Sequence, residues 1–278
     1  MTITAADVMK LRKMTSAGMM DCKNALIEAE GDFNKAMDII REKGKLVAAK
    51  RADRETTEGG VAVRVQDGKG VLVCLGCETD FVSATADFKA LLGEIADAAI
   101  SAYPADAEGL KAASCSNGHT VEEEISNQTG KTGEKHVLAY YGSLEAPCIC
   151  SYVHFNNKLG AIVSFNKEVP AELGRAIAMQ VTSMNPVSVS EEDCPKEVVE
   201  KELAIYKQQM AEDPKMVGKP EAVLENIAKG KLAKFYKENT LEAQDCVQSD
   251  EKVSVKDYMK SVDKEIKVLA FRRYSLTD

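Results

Sequence analysis

Apolar positions along the first 44 residues recur at helical spacing. Val8, Leu11 and Met14 lie three apart, preceded by Thr4 and Asp7 in a capping-box arrangement. Thr15-Ser16-Ala17-Gly18 interrupts the pattern. It resumes with Cys22, Ala25, Leu26 and Ala29 and stops at Gly31. Asp32 then caps a third run, Phe33, Ala36, Met37 and Ile40, which Gly44 is expected to end. Three short helices, each with one apolar stripe, predict a small bundle that is marginal unless attached to something larger.

Beyond a charged, Ala-rich linker over 45–58, helical in its first half, the period changes to two. Val61 to Val65 alternates, Gln66 to Lys69 turns, and Gly70 to Val73 returns. A helix follows, with Phe88, Leu91, Leu92, Ile95 and Ala99 on one face. The same hairpin-then-helix pattern recurs later. Cys148 to His154 alternates, Asn156 to Lys158 turns, Gly160 to Val163 returns, and a helix runs from Pro170 to Met184. Between the two repeats, 105–114 and 120–128 read as helices and 135–141 as a strand.

Past Pro195, Val199, Leu203, Tyr206 and Met210 follow heptad spacing. Asp213-Pro214 and Gly218-Lys219-Pro220 make a turn, and Leu224, Ala228, Leu232 and Phe235 return. This predicts an antiparallel coiled-coil hairpin. The chain comes back through 241–247, a helix near 256–262 and a strand near 266–272. The expected class is α+β. Its parts are a three-helix module (1–44), the linker (45–58), a first core subdomain (59–141), a second core subdomain (142–190 and 237–278) and the arm (191–236).

Composition narrows the function. With 36 basic and 44 acidic residues the net charge is −8, which argues against a nucleic-acid surface. No apolar run approaches a membrane span, and the first residues lack a signal peptide's basic and apolar regions, so a cytoplasmic protein is expected. Eight Cys in 278 residues are too sparse for a disulfide scaffold. Cys74 and Cys77 have redox or metal spacing, but on a strand they face opposite ways and no second Cys pair or His pair accompanies them. His119, His136 and His154 form no ligand motif. There is no phosphate-binding glycine loop and no acid–base pair stands out. The chain reads as a binding protein that needs no cofactor, with an interaction scaffold and a thiol enzyme as competing readings.

Thr79-Asp80-Phe81-Val82 sits where the first hairpin passes into its helix. Asp80 is a candidate cap and Phe81 a candidate core residue. Alternatively, Phe81 is an apolar wedge beside a carboxylate, offered to a partner. Met19-Met20 carries the same ambiguity between core filling and a soft contact patch.

Two stretches resemble the bacterial translation elongation factor Ts family. They are Leu11-Arg12-Lys13-Met14-Thr15-Ser16-Ala17-Gly18-Met19-Met20-Asp21-Cys22-Lys23-Asn24-Ala25-Leu26 and Cys77-Glu78-Thr79-Asp80-Phe81-Val82. The order of parts fits as well, with the first module resembling a ubiquitin-associated (UBA-like) domain. The resemblance implies a guanine-nucleotide exchange factor whose partner is elongation factor Tu, with the nucleotide held by that partner. It implies that Thr79 to Val82, Asp80 and Phe81 above all, enter the partner's nucleotide-binding domain near its Mg²⁺ and phosphate site. It further implies that Arg12, Met19, Met20 and Lys23, with Arg51 of the linker, hold that domain, and that His154 and Val247 of the core meet another domain. There are departures. Gly76 stands where Asn is common, Gln248 stands where a Met would add apolar contact, and the chain stops at Asp278, where some members continue into a further helical module.

Overall fold

A computed structural model describes residues 3–15, 17–214, 216, 219–249 and 252–277. Ser16 and Gly218 of the predicted breaks, and the chain end at Asp278, lie outside them. The chain forms two compact units. The first comprises Met1–Ser143, Val153–Gly160 and Tyr274–Asp278; the second comprises Leu144–Tyr152 and Ala161–Arg273.

The first unit begins with α1 (Ala5–Thr15), α2 (Met19–Glu28) and α3 (Phe33–Lys50). Thr4 and Asp7 exchange the expected capping bonds, Asp7 N–H to Thr4 Oγ1 at 3.2 Å and Thr4 N–H to Asp7 Oδ2 at 3.0 Å. Asp32 caps α3 by accepting from the Asn34 and Lys35 amides. Val8, Leu11, Cys22, Ala25, Leu26, Ala29 and Ala36 form the shared core. Met14, which the period assigned to that stripe, is instead exposed. It lies near the end of α1, where the chain turns away toward α2.

Gly44 does not end α3, which continues to Lys50. A Cβ on Gly44 would stand 3.1 Å from the Ser126 carbonyl oxygen, and one on Gly130 would stand 2.8 Å from the Gly44 Cα. Both glycines therefore let α3 and α7 (Val121–Thr132) cross with their backbones nearly touching. Glycine inside a helix costs about 0.5–1 kcal/mol of backbone entropy. Close packing offsets it here, a gain that a local stop signal does not reveal.

β1 (Glu58–Gln66) and β2 (Lys69–Cys77) pair antiparallel through a two-residue turn, Asp67-Gly68. Both turn residues have positive φ, 50° and 74°, the turn whose twist matches the strands it joins. β3 (His136–Glu145) completes the sheet in the order β1-β2-β3. β2 is buried along almost its whole length, which fits its unbroken apolar run. Val71, Val73, Leu75 and Cys77 pack with Phe88, Leu92 and Ile95 of α5 (Ala86–Ala102). The predicted helix at this point is two helices: α4 (Asp80–Ser83) precedes α5. α6 (Ala107–Ala112) and α7 close the unit, α7 with a complete Thr120–Glu123 capping box.

In the second unit, β4 (Cys148–Val153), β5 (Leu159–Phe165) and β6 (Val268–Ser275) form the sheet β4-β5-β6, the turn end of the β4–β5 hairpin belonging to the first unit. Ala161, Val163 and Phe165 pack with Leu173, Ile177 and Val181 of α8 (Ala171–Met184) and with Met259 of α11 (Val255–Val262). α9 (Lys196–Glu212) and α10 (Glu221–Asn239) pack on each other. Along their stripes Met210, Ala228 and Phe235 are buried while Leu203, Tyr206, Leu224 and Leu232 are half-buried.

Candidate functional site

The turn from β2 into α4 is fixed by charge. Glu78 accepts from Arg51 Nη1 at 2.8 and 2.9 Å and from the Lys135 amide at 2.6 Å. Lys135 Nζ donates back to the carbonyls of Ala52 and Arg54 at 2.6 and 2.9 Å. The end of α3, the start of β3 and the root of the turn are thereby clasped together. The Lys135 amide, and then the guanidinium, hold the Glu78 carboxyl below its ordinary range. Arg51 thus has a partner within its own chain, twenty-seven positions away.

Thr79, not Asp80, caps α4: its hydroxyl accepts from the Val82 amide at 3.4 Å, and a second cap, Thr85, opens α5. Asp and Thr are both good caps, and the cap falls on the residue whose backbone is still extended, Thr79 at φ −129°. Asp80 is left exposed, and its carboxylate forms no hydrogen bond or ion pair among the described residues. Val82 packs inward against the core under α5. Phe81 is 83% exposed, so the core alternative for it is overturned. Of the four residues only Asp80 and Phe81 face outward, on a turn whose neighbours are bonded on both sides.

Arg12 and Lys23 are exposed, and Met19 and Met20 are 46% and 63% exposed, so the core alternative fails for this pair too. Met14 joins them as an exposed methionine that the period hid. His154 is half-buried beside Phe155, the two ring centroids 4.5 Å apart. Phe155 is itself 86% exposed; the hydrophobic pattern does not reveal it because it stands in a turn, outside any stripe. In the second unit Val247 is 47% exposed, and its amide donates to Gln180 Oε1 at 2.9 Å. Gln180 is fully buried and also donates to Gln244 and to the Asp245 carbonyl, which fixes the loop carrying Val247.

Cys74 and Cys77 are fully buried, and burial pushes both thiols up to about 12. At neutral pH neither supplies the thiolate that redox or nucleophilic chemistry requires. Among the described residues no group of three His, Cys, Asp or Glu is placed to hold a metal, and no helix is long and apolar enough to cross a membrane.

The fold and the site define an α+β chain that leaves an acid–aromatic pair exposed on a hydrogen-bonded turn and methionines exposed on its helical module. A family model described as Elongation factor TS matches residues 78–278. The chain is 43% identical over 276 residues to an elongation factor Ts of Porphyromonas gingivalis, covering 99% of each chain. It is 46% identical over 281 residues to one of Cytophaga hutchinsonii, again 99% of each, and 44% identical over 278 residues to one of Christiangramia forsetii, covering 99% of this chain and 98% of that one. The chain belongs to the elongation factor Ts family of translation elongation factors.

Proposed function

We propose that the chain is a guanine-nucleotide exchange factor: it binds elongation factor Tu carrying GDP, loosens the nucleotide and allows GTP to reload, in the cytoplasm. The observation that carries this reading is Phe81, 83% exposed on a turn that Glu78 and Thr79 hold in place. A rigid aromatic that its own fold leaves in water is suited to burial in a partner.

No covalent chemistry is needed. A factor that binds the nucleotide-free partner more tightly than the loaded one weakens nucleotide binding by the same ratio. Asp80 and Phe81 enter near the partner's Mg²⁺ and phosphate site, and moving the supports of that ion removes charge neutralisation from the bound GDP. Fully burying a Phe contributes about 1.5–3 kcal/mol, or about tenfold to a few hundredfold in affinity. Stronger exchange needs Arg12, Met19, Met20 and Lys23 of the helical module and His154 and Val247 of the core to hold the same partner. Arg51 of the linker holds that partner too, and through Glu78 it also fixes the turn. The paired α9 and α10 serve as a projecting coiled-coil arm.

Stopped-flow release of fluorescent GDP from elongation factor Tu tests this. The wild-type chain accelerates release; Phe81→Ala slows it at least tenfold while the unfolding midpoint stays put. No acceleration by the wild type defeats the proposal and favours a scaffold without exchange activity.

A further inference from the structure

Among the described residues, the two most exposed large apolar side chains are Phe81 and Phe155, at 83% and 86%. Their chain neighbours line one groove of about 560 Å³ in the first unit. Asp80 and Ser83, which flank Phe81 in the chain, line it together with Asn156 and Lys158, which follow Phe155, and with Gly60 and Val61 of β1. We propose that Phe155 is a second apolar anchor for the GTP-binding partner, engaged in the same binding event as Phe81.

The turn that carries Phe155 is built to stay still. Asn157 takes the left-handed conformation, φ 56°, and its amide donates to the His154 carbonyl at 2.8 Å. The Lys158 amide donates to Asn156 Oδ1 at 3.0 Å. Outside the turn, the Val61 amide donates to the Asn157 carbonyl at 2.7 Å and the Leu276 amide to the Lys158 carbonyl at 2.9 Å. Lys158 Nζ also lies 2.6 Å from a Glu58 carboxylate oxygen. A single exposed apolar residue on a loose loop is ordinary. An aromatic on a turn pinned at this many points is different, because burying it costs little further ordering. Aromatic anchors of this kind dominate interface energies.

The occupant follows from the groove. Whatever receives Asp80 lies against this groove, and a segment filling it also meets Asn156 and Lys158, next to Phe155 in the chain. The inference rests on the exchange reading, and its test separates the two. The full chain carrying Phe155→Ala is titrated against nucleotide-free elongation factor Tu, with Phe81→Ala alongside. Phe155→Ala is expected to weaken the complex at least tenfold, mainly through faster dissociation, equally at low and high salt and with an unchanged unfolding midpoint. Affinity within twofold of wild type overturns the inference; if Phe81→Ala still slows exchange, the exchange reading survives. No exchange by the wild-type chain overturns both. If Phe155→Ala instead abolishes self-association seen by light scattering and leaves partner affinity unchanged, the face belongs to a second copy of this chain and the inference falls.

Discussion

Glu134 receives both hydrogen bonds that Thr79 can give, the hydroxyl at 2.7 Å and the amide at 3.1 Å, across fifty-five positions of sequence. The same hydroxyl accepts from the Val82 amide. One carboxylate thereby sets the cap that starts α4 and so aims Asp80 and Phe81. Hydrogen bonds to a charged group in a half-buried site are worth about 1.5–3 kcal/mol each before their loss is partly made good by water. Glu134→Ala is expected to lower stability by about 1–2 kcal/mol in urea unfolding and, in the folded fraction, to slow GDP release. Unchanged exchange in fully folded Glu134→Ala would show that the cap does not aim the pair.

Arg51→Ala releases the other side of the turn. Arg51 is about a third exposed, so its ion pair with Glu78 is screened, and a loss of about 1 kcal/mol is expected. Arg51→Lys is expected to recover only part of it, because the ammonium ends one atom short of the Nη1 that makes both contacts to Glu78. The Glu78 carboxyl is held below the 4.5 of an ordinary glutamate. Its stabilisation is therefore complete above that value and is lost as pH falls through the lower folded value. Glu78→Gln should flatten the acid limb of a plot of stability against pH; an identical limb would remove Glu78 from the account.

His136 is buried and its Nδ1 lies 3.0 Å from the Glu134 carbonyl, while Nε2 has no partner. Burial pushes its pKa below 6.5, against a smaller upward pull from Glu134 and Glu78. The unfolded chain thus takes up a proton first, and stability falls as pH drops below 6.5 until the folded value is passed. Urea midpoints measured between pH 7.5 and 5 should fall, and His136→Asn, which keeps a donor near the carbonyl but does not titrate, should reduce that slope. A slope unchanged in the variant would place the effect elsewhere.

Cys74 and Cys77, buried and raised to about 12, are expected to resist a thiol reagent at pH 8 until the chain unfolds. Cys74→Ala with Cys77→Ala should leave exchange intact at the cost of some core packing. Loss of exchange in a folded double variant would revive the thiol reading.

Much of the fold was legible because its signals are local. The Asp32 cap, the Asp67-Gly68 turn and the apolar stripe of Cys22, Ala25, Leu26 and Ala29 each depend on neighbours within a turn or two of chain. Gly44 was misread for the same reason: a glycine after a helical stripe is a local stop signal, but its use here depends on Ser126 and Gly130, more than eighty positions away. Met14 followed its period and still faces water.

The sequence by itself determined the hairpins, the helices and a conspicuous acid–aromatic pair at a turn, since backbone preference and hydrophobic period are properties of short segments. Only the tertiary structure decided which way that pair faces. Whether Phe81 lies in the core or in solvent depends on what else fills the space under α5, and Val82 and Phe88 fill it. Which residue caps α4 depends on Glu134, and what Arg51 does depends on Glu78. The turn that follows Phe155 shares a groove with Asp80 because an amide of β1 meets the carbonyl of Asn157. Burial and ion pairing are set by residues that meet only when the chain closes on itself, and no window along the sequence contains both partners.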